Sequence, residues 1–250
     1  MGGIVLKDHH FPTVGLAYLT GKIVPQVKIF GSITIANSIG GFNAEAVYQS
    51  ADRGARIVWF PTLESEHFIK KCGSISHLKH LKKGFDHNFR VFRVTDETGK
   101  ILAEVKEVLQ AVKERNMVLG LGHLSPDETY TVIRYAQSIG IEKIKISHPQ
   151  SILGIPLECQ VELASLGVFM SYTFLNCLPG HGSLEDRDLA AMINAVGPER
   201  SILISDAGQL SVPHPAAVMV MFVSNLLKNG IKDKDIEKMI KHNPVALLEN

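Results

Sequence analysis

The sequence predicts a parallel α/β barrel of the (β/α)8 type. Apolar runs rich in Val, Ile and Phe alternate with amphipathic segments of helical length along the whole chain, the rhythm of βα units and a parallel sheet. The runs are apolar almost throughout, as strands buried on both faces are. The length, 250 residues, matches one such barrel, so residues 1–250 read as a single domain.

In order, the strands read IVLK (4–7), KIFGSITI (28–35), RIVWFPT (56–62), MVLGLGH (117–123), KIKISH (143–148), VFMSYTF (168–174) and SILISD (201–206). Helix punctuation separates them. Asn43 caps a helix that ends near Gly54. Residues 101–116, ILAEVKEVLQAVKERN, form an amphipathic helix. Ser125-Pro126-Asp127-Glu128 combines an N-cap, a proline at the first helical position and a capping-box glutamate, and that helix ends at Gly140. Residues 184–196, LEDRDLAAMINAV, form another helix. Between the third and fourth strands lies a long basic insertion at about 66–100, with Lys70, Lys71, Lys79, Lys82, Lys83, Arg90 and Arg93. Its end, FRVFRVTDETGKIL, reads as a hairpin around Asp96–Gly99. Seven strands are visible where a closed barrel has eight. The chain opens directly on a strand behind Met1-Gly2-Gly3, so the expectation is that the first βα unit is missing from this sequence.

Composition excludes several classes. A net charge of +1 gives no global argument for nucleic acid or membrane binding. No apolar run approaches the roughly 18–20 residues of a transmembrane helix. Cys72, Cys159 and Cys177 are widely spaced without a C-x-x-C pair, which argues against a disulfide framework and for a reducing, cytoplasmic setting. No phosphate-cradling or nucleophile-elbow motif is present. The partner expected is a small-molecule substrate. The basic loop suits an anionic substrate, a solvated surface or homo-oligomer contacts.

Three residues end strands and open loops: His123, His148 and Asp206. By alternation, His123 shares a face with Leu119 and Leu121, His148 with Ile144 and Ile146, and Asp206 with Ile202 and Ile204. In a parallel barrel, strand ends gather at one mouth, and two imidazoles with a carboxylate are suited to a catalytic metal ion. Gly120 and Gly122 then lie on a face where a helix packs closely. On the first strand, Lys7 and His9 alternate with Leu6, Asp8 and His10. Parity alone leaves open which set is inward. Lys7 and His9 are favoured, His9 as a further ligand and Lys7 as a cation that orients substrate or stabilises developing negative charge. Glu64, Glu66 and His67 follow FPTL, and His181 follows LPG. Glu64, His67 and His181 are substrate-contact candidates, each also readable as a solvated or locally bonded loop residue. His77 and His80 form an isolated H-x-x-H without the helical motif of a zinc protease. His214 and Cys177 read as structural.

The ordered set His123, His148 and Asp206, with GPERSILISDAG before the last loop and KHNPVALL at the C-terminus, resembles the amidohydrolase-like metal-dependent hydrolases. VLKDHHFPT, VWFPTL, GHLS and SHP look closer still to an uncharacterised branch of them. The resemblance covers nearly the whole chain. It implies a distorted (β/α)8 barrel with one or two divalent ions, often zinc, in which the residues matching His123 and His148 bind metal. The residue matching Asp206 both touches metal and shuttles a proton. The chain departs from the pattern in two respects: it has no His-x-His, and RIVWFPTL ends without the metal-bridging lysine. One ion is therefore favoured over two. The activity implied is hydrolysis of a C–N or ester bond in a small polar substrate by a metal-activated water. The alternatives are a catalytically degenerate barrel that binds or assembles, and a metal-dependent phosphoesterase.

Overall fold

The computed structural model describes residues 2–72, 90–151 and 153–249. About half of the basic insertion, including His77, His80, Lys79, Lys82 and Lys83, lies outside the described residues. The chain divides into two compact units, Met1–Ile144 and Lys145–Asn250.

The first unit carries β1 (Gly3–Val5), β2 (Lys28–Thr34), β3 (Ala55–Trp59) and β4 (Val118–Gly120). Each pairs in parallel with the next in chain order. Helices α1 (Val14–Ile23), α2 (Ala44–Asp52), α3 (Glu66–Cys72), α4 (Ala103–Glu114) and α5 (Pro126–Ser138) fill the connections. Such crossovers are what parallel neighbours require. The apolar stripe of α4, Val105, Val108, Leu109 and Val112, is fully buried. At roughly 1.5–3 kcal/mol per buried aliphatic side chain, this face anchors the helix.

The predicted punctuation is present. The Asn43 side chain accepts from Ala46 N–H at 3.2 Å, and Gly54 and Gly140 take φ of +97° and +91°. Ser125 Oγ accepts from Glu128 N–H at 3.3 Å while Glu128 Oε2 accepts from Ser125 N–H at 3.1 Å. Glu128 also accepts from Val94 N–H at 3.0 Å, tying the end of the basic segment to α5. Ser125→Ala is therefore expected to lower stability by about 1 kcal/mol, read as a lower urea midpoint with unchanged slope.

The end of the insertion is built in. Thr95 bridges Ile101 in antiparallel fashion, and Asp96 Oδ1 accepts from the N–H groups of Thr98 and Lys100. Phe92 is buried, edge-on to Phe42.

The second unit carries β5 (Ile144–Ser147, its first residue in the first unit), β6 (Phe169–Thr173) and β7 (Ser201–Ile204), again parallel in chain order. Helices α6 (Leu157–Ser165), α7 (Asp186–Val196), α8 (Pro215–Lys228), α9 (Asp233–Glu237) and α10 (Asn243–Glu249) accompany them. His214 caps α8, its Nδ1 accepting from Ala216 N–H at 3.3 Å. Asn243 of the NPVALL segment donates to the carbonyls of Pro198 and Ser201, each at 2.7 Å, pinning the C-terminal helix to the start of β7. No helix among the described residues is long and apolar enough to cross a membrane.

Candidate functional site

In the first unit, polar side chains collect where β1, β3 and β4 end. Asp8 is exposed and accepts from the N–H groups of His10 and Phe11 at 2.7 and 2.9 Å, forming the turn after β1. This turn places Lys7, His9 and His10 half-buried. His9 Nδ1 lies 2.8 Å from Thr62 Oγ1 and 3.4 Å from Lys7 Nζ, and Lys7 sits 5.7 Å from the Trp59 ring. Alternation does not separate His9 from His10 cleanly, because His10 Nδ1 lies 3.5 Å from Glu64 Oε1. Glu64 is 3% exposed, and its other oxygen accepts from Asn37 N–H at 2.7 Å and Asn37 Nδ2 at 2.9 Å. These bonds give Glu64, a substrate-contact candidate by sequence, a positioning part: it holds the loop of His9 and His10 against Asn37. Glu66 pairs with Lys70 one turn along α3 at 3.0 Å, a solvated pair. His67 is half-buried in the first turn of α3.

His123 is 4% exposed. Its ring stacks on Phe68 with centroids 5.2 Å apart and lies 6.5 Å from that of His9. Its backbone N–H donates to Pro61 O at 2.9 Å. β4 has ended by this point, and Gly122 at φ +58° redirects the chain, so strand alternation does not set the direction of His123. The two glycines serve the neighbouring strand and not a helix. A Cβ at Gly120 would lie 2.4 Å from the Trp59 ring, and one at Gly122 would lie 2.2 Å from Phe60 O.

In the second unit, alternation fails in an instructive way. Ile146 registers with Met170 and Met170 with Ser201, whereas Ser171 registers with Ile202. Ile144 and Ile146 therefore lie on the opposite sheet face from Ile202 and Ile204. Tyr172, on the Ile146 face, donates to Gln160 of α6 at 2.9 Å, so that face meets the helix. The shared parity read from sequence for His148 and Asp206 is thus incorrect. Both residues nonetheless approach each other, with His148 Nε2 and Asp206 Oδ2 at 3.9 Å. The reason is backbone conformation. His148 and Asp206 take φ of +39° and +50°, left-handed values uncommon for non-glycine residues and enriched in His and Asp. Each kinks the chain just past its strand and re-aims the side chain. His148 is buried and Asp206 about one-third exposed. Ser151 Oγ lies 3.4 Å from His148 Nδ1.

His181 is exposed, its Nε2 3.3 Å from Ser211 O. The Cys177 thiol is pushed up to about 12, first by burial and then by Asp186, so it is no reactive nucleophile at neutral pH.

The donor chemistry fits a divalent ion. Two ligands of one tetrahedral zinc, each about 2.0–2.1 Å from it, stand roughly 3.4 Å apart. The 3.9 Å between His148 Nε2 and Asp206 Oδ2 is close to that. The donors come in twos: among the described residues, no group of three or more His, Cys, Asp or Glu is close enough to hold an ion. Sequence reasoning missed Thr62 and Asn37, whose neutral side chains carry no motif and gain meaning only from their neighbours.

Solved structures share the fold at low identity. An organophosphorus hydrolase from Deinococcus radiodurans matches with a TM-score of 0.59 and 11% identity, over 92% of this chain and 73% of that one. An amidohydrolase from Pseudomonas aeruginosa matches with a TM-score of 0.59 and 13% identity, over 99% and 78%. The phosphotriesterase homology protein from Escherichia coli, complexed with phosphate in its active site, matches with a TM-score of 0.53 and 14% identity, over 99% and 98%. The likeness to these structures is one of fold. No curated protein matches the chain. The model of a family described as "Family of unknown function (DUF6282)" matches residues 1–171, more than half of the sequence, and the chain belongs to that family.

Proposed function

We propose that the chain is a metal-dependent hydrolase acting on a C–N or ester bond of a small polar substrate. The observation that carries this reading is the pair His148 and Asp206, brought within 3.9 Å by two left-handed residues at strand ends. Holding such backbone costs about 1–3 kcal/mol per residue and is found chiefly where a site requires it. These two residues would hold the ion, and in the first unit His9 and His123, with ring centroids 6.5 Å apart, are proposed as a second donor pair. A bound divalent cation, with zinc the choice for an N/O donor set, lowers the pKa of its water toward about 7.

The chain's own residues supply the rest. Asp206, partly exposed, takes up the proton released by the attacking water. The Lys7 ammonium, held between Trp59 and His9, stabilises negative charge developing on the substrate. The Thr62 hydroxyl, 2.8 Å from His9 Nδ1, orients the ring. Thr62→Val is then expected to weaken zinc affinity by about 10–100-fold, measured by competition with a fluorescent chelator. Unchanged affinity removes His9 from the ligand set.

A second reading, a degenerate barrel that binds without turnover, is favoured by one observation: donors gather in twos among the described residues. Elemental analysis and a hydrolysis panel of amides, esters and an aryl phosphate separate the readings. Zinc near one equivalent with chelator-sensitive turnover supports the hydrolase. Metal-free protein, unchanged in stability by chelator, supports the degenerate barrel. Turnover confined to the phosphate transfers the assignment to a phosphoesterase.

A further inference from the structure

We infer that the outer face of α8 is a dimer interface, and that its occupant is α8 of a second copy of this chain. The inference is independent of the hydrolase reading. A surface helix carries charge on its outer side, whereas a helix apolar all round is a buried one. From Pro215 to Leu227, α8 has no charged residue. Its inner stripe, Val218, Phe222, Asn225 and Leu226, is buried. Phe222 stacks on Phe174 with centroids 5.6 Å apart, and Asn225 donates to Asp186. The opposite stripe, Ala217, Val220, Ser224 and Leu227, is exposed along its whole length. Val220 is 69% exposed and Leu227 44%, with Met221 beside them at 40%.

Spacing and size say what covers this stripe. Its members follow one another at three, four and three residues, the seam by which two helices pack along their length. Along the seam small and large side chains alternate: Ala217, Val220, Ser224, Leu227. In an antiparallel pair, Ala217 meets Leu227 of the second copy and Val220 meets its Ser224. Both pairs are centred on Phe222, five and two positions to either side, so a single register satisfies both. A two-fold contact requires such self-complementarity, and an unrelated partner does not. Charge agrees, because Lys228, the one charged side chain of α8, stands past the end of the seam. A lipid surface would call for bulky anchors opposite a face of Lys and Arg, not for Ala and Ser between the larger residues. The stripe with its flanks Ala216 and Met221 offers on the order of 500 Å² per copy, about 1,000 Å² in total, at the small end of specific interfaces. The dimer is therefore expected to be weak, with a Kd of roughly 10–100 µM.

Sedimentation equilibrium of the full-length protein, over roughly 5–500 µM, tests this. The expected result is a monomer–dimer equilibrium in that range. Val220→Glu places a carboxylate in the seam and leaves the chain monomeric. Ala217→Leu and Leu227→Ala each weaken the dimer by about 10-fold or more. The double variant exchanges large for small across the seam and returns to within about 3-fold of the wild-type Kd, as coupled neighbours should. All these positions are exposed, and circular dichroism checks that each variant keeps its fold. A monomer at every concentration, a dimer indifferent to Val220→Glu, or a double variant no better than either single one overturns the inference. So does a chain that stays monomeric and sediments instead with phosphatidylserine vesicles.

Discussion

In His148→Ala and Asp206→Ala variants, zinc content is expected to fall to background from the near one equivalent that the proposed site predicts for the wild-type chain. The affinity lost should exceed the roughly 10–100-fold typical of an outer-shell partner, because each substitution removes a donor from the pair at 3.9 Å. The folded state should tolerate both. Asp206 is about one-third exposed, and alanine removes side-chain atoms from each position without adding any. Elemental analysis, paired with circular dichroism to show retained fold, reads the effect. Retention of full zinc occupancy in both variants would remove these residues from the metal site.

The second large effect concerns Gly122. A methyl group there would lie 2.2 Å from Phe60 O and 2.4 Å from Pro61 O, which are backbone atoms that no rotamer change relieves. The position also takes φ +58°, where an L side chain is strained. Overpacking costs about 1–3 kcal/mol and the strained backbone a similar amount, so Gly122→Ala should lose about 4 kcal/mol of stability in urea unfolding. His123 hangs from the same bend through its bond to Pro61 O, so the substitution should also displace its ring from the Phe68 stack. A loss below about 1 kcal/mol would mean that the bend is softer than the geometry implies.

The strands were legible because burial on both faces leaves continuous apolar runs, and all seven lie where those runs fall. Helix starts were legible because capping is local chemistry: Asn43 and Ser125 bond within three residues of themselves. The strand-end positions of His123, His148 and Asp206 could be read for the same reason. The directions of their side chains could not. Alternation holds only while the backbone stays extended, and it breaks at Gly122, His148 and Asp206, all with positive φ. The sequence shows a histidine after Ser147 and an aspartate after Ser205, but not the left-handed turns that bring them together from opposite parities. Glu64 read only as a loop residue in contact with substrate or solvent, because its commitment to Asn37, 27 residues away, is a long-range bond without a local signature.

The account turns on whether an ion sits between His148 and Asp206. Anomalous diffraction at the zinc edge, on crystals of the protein grown with one equivalent of zinc, tests this most directly. The expected result is a single peak within about 2.0–2.2 Å of both His148 Nε2 and an Asp206 carboxylate oxygen. A peak held by other residues, or none on the chain, would contradict it.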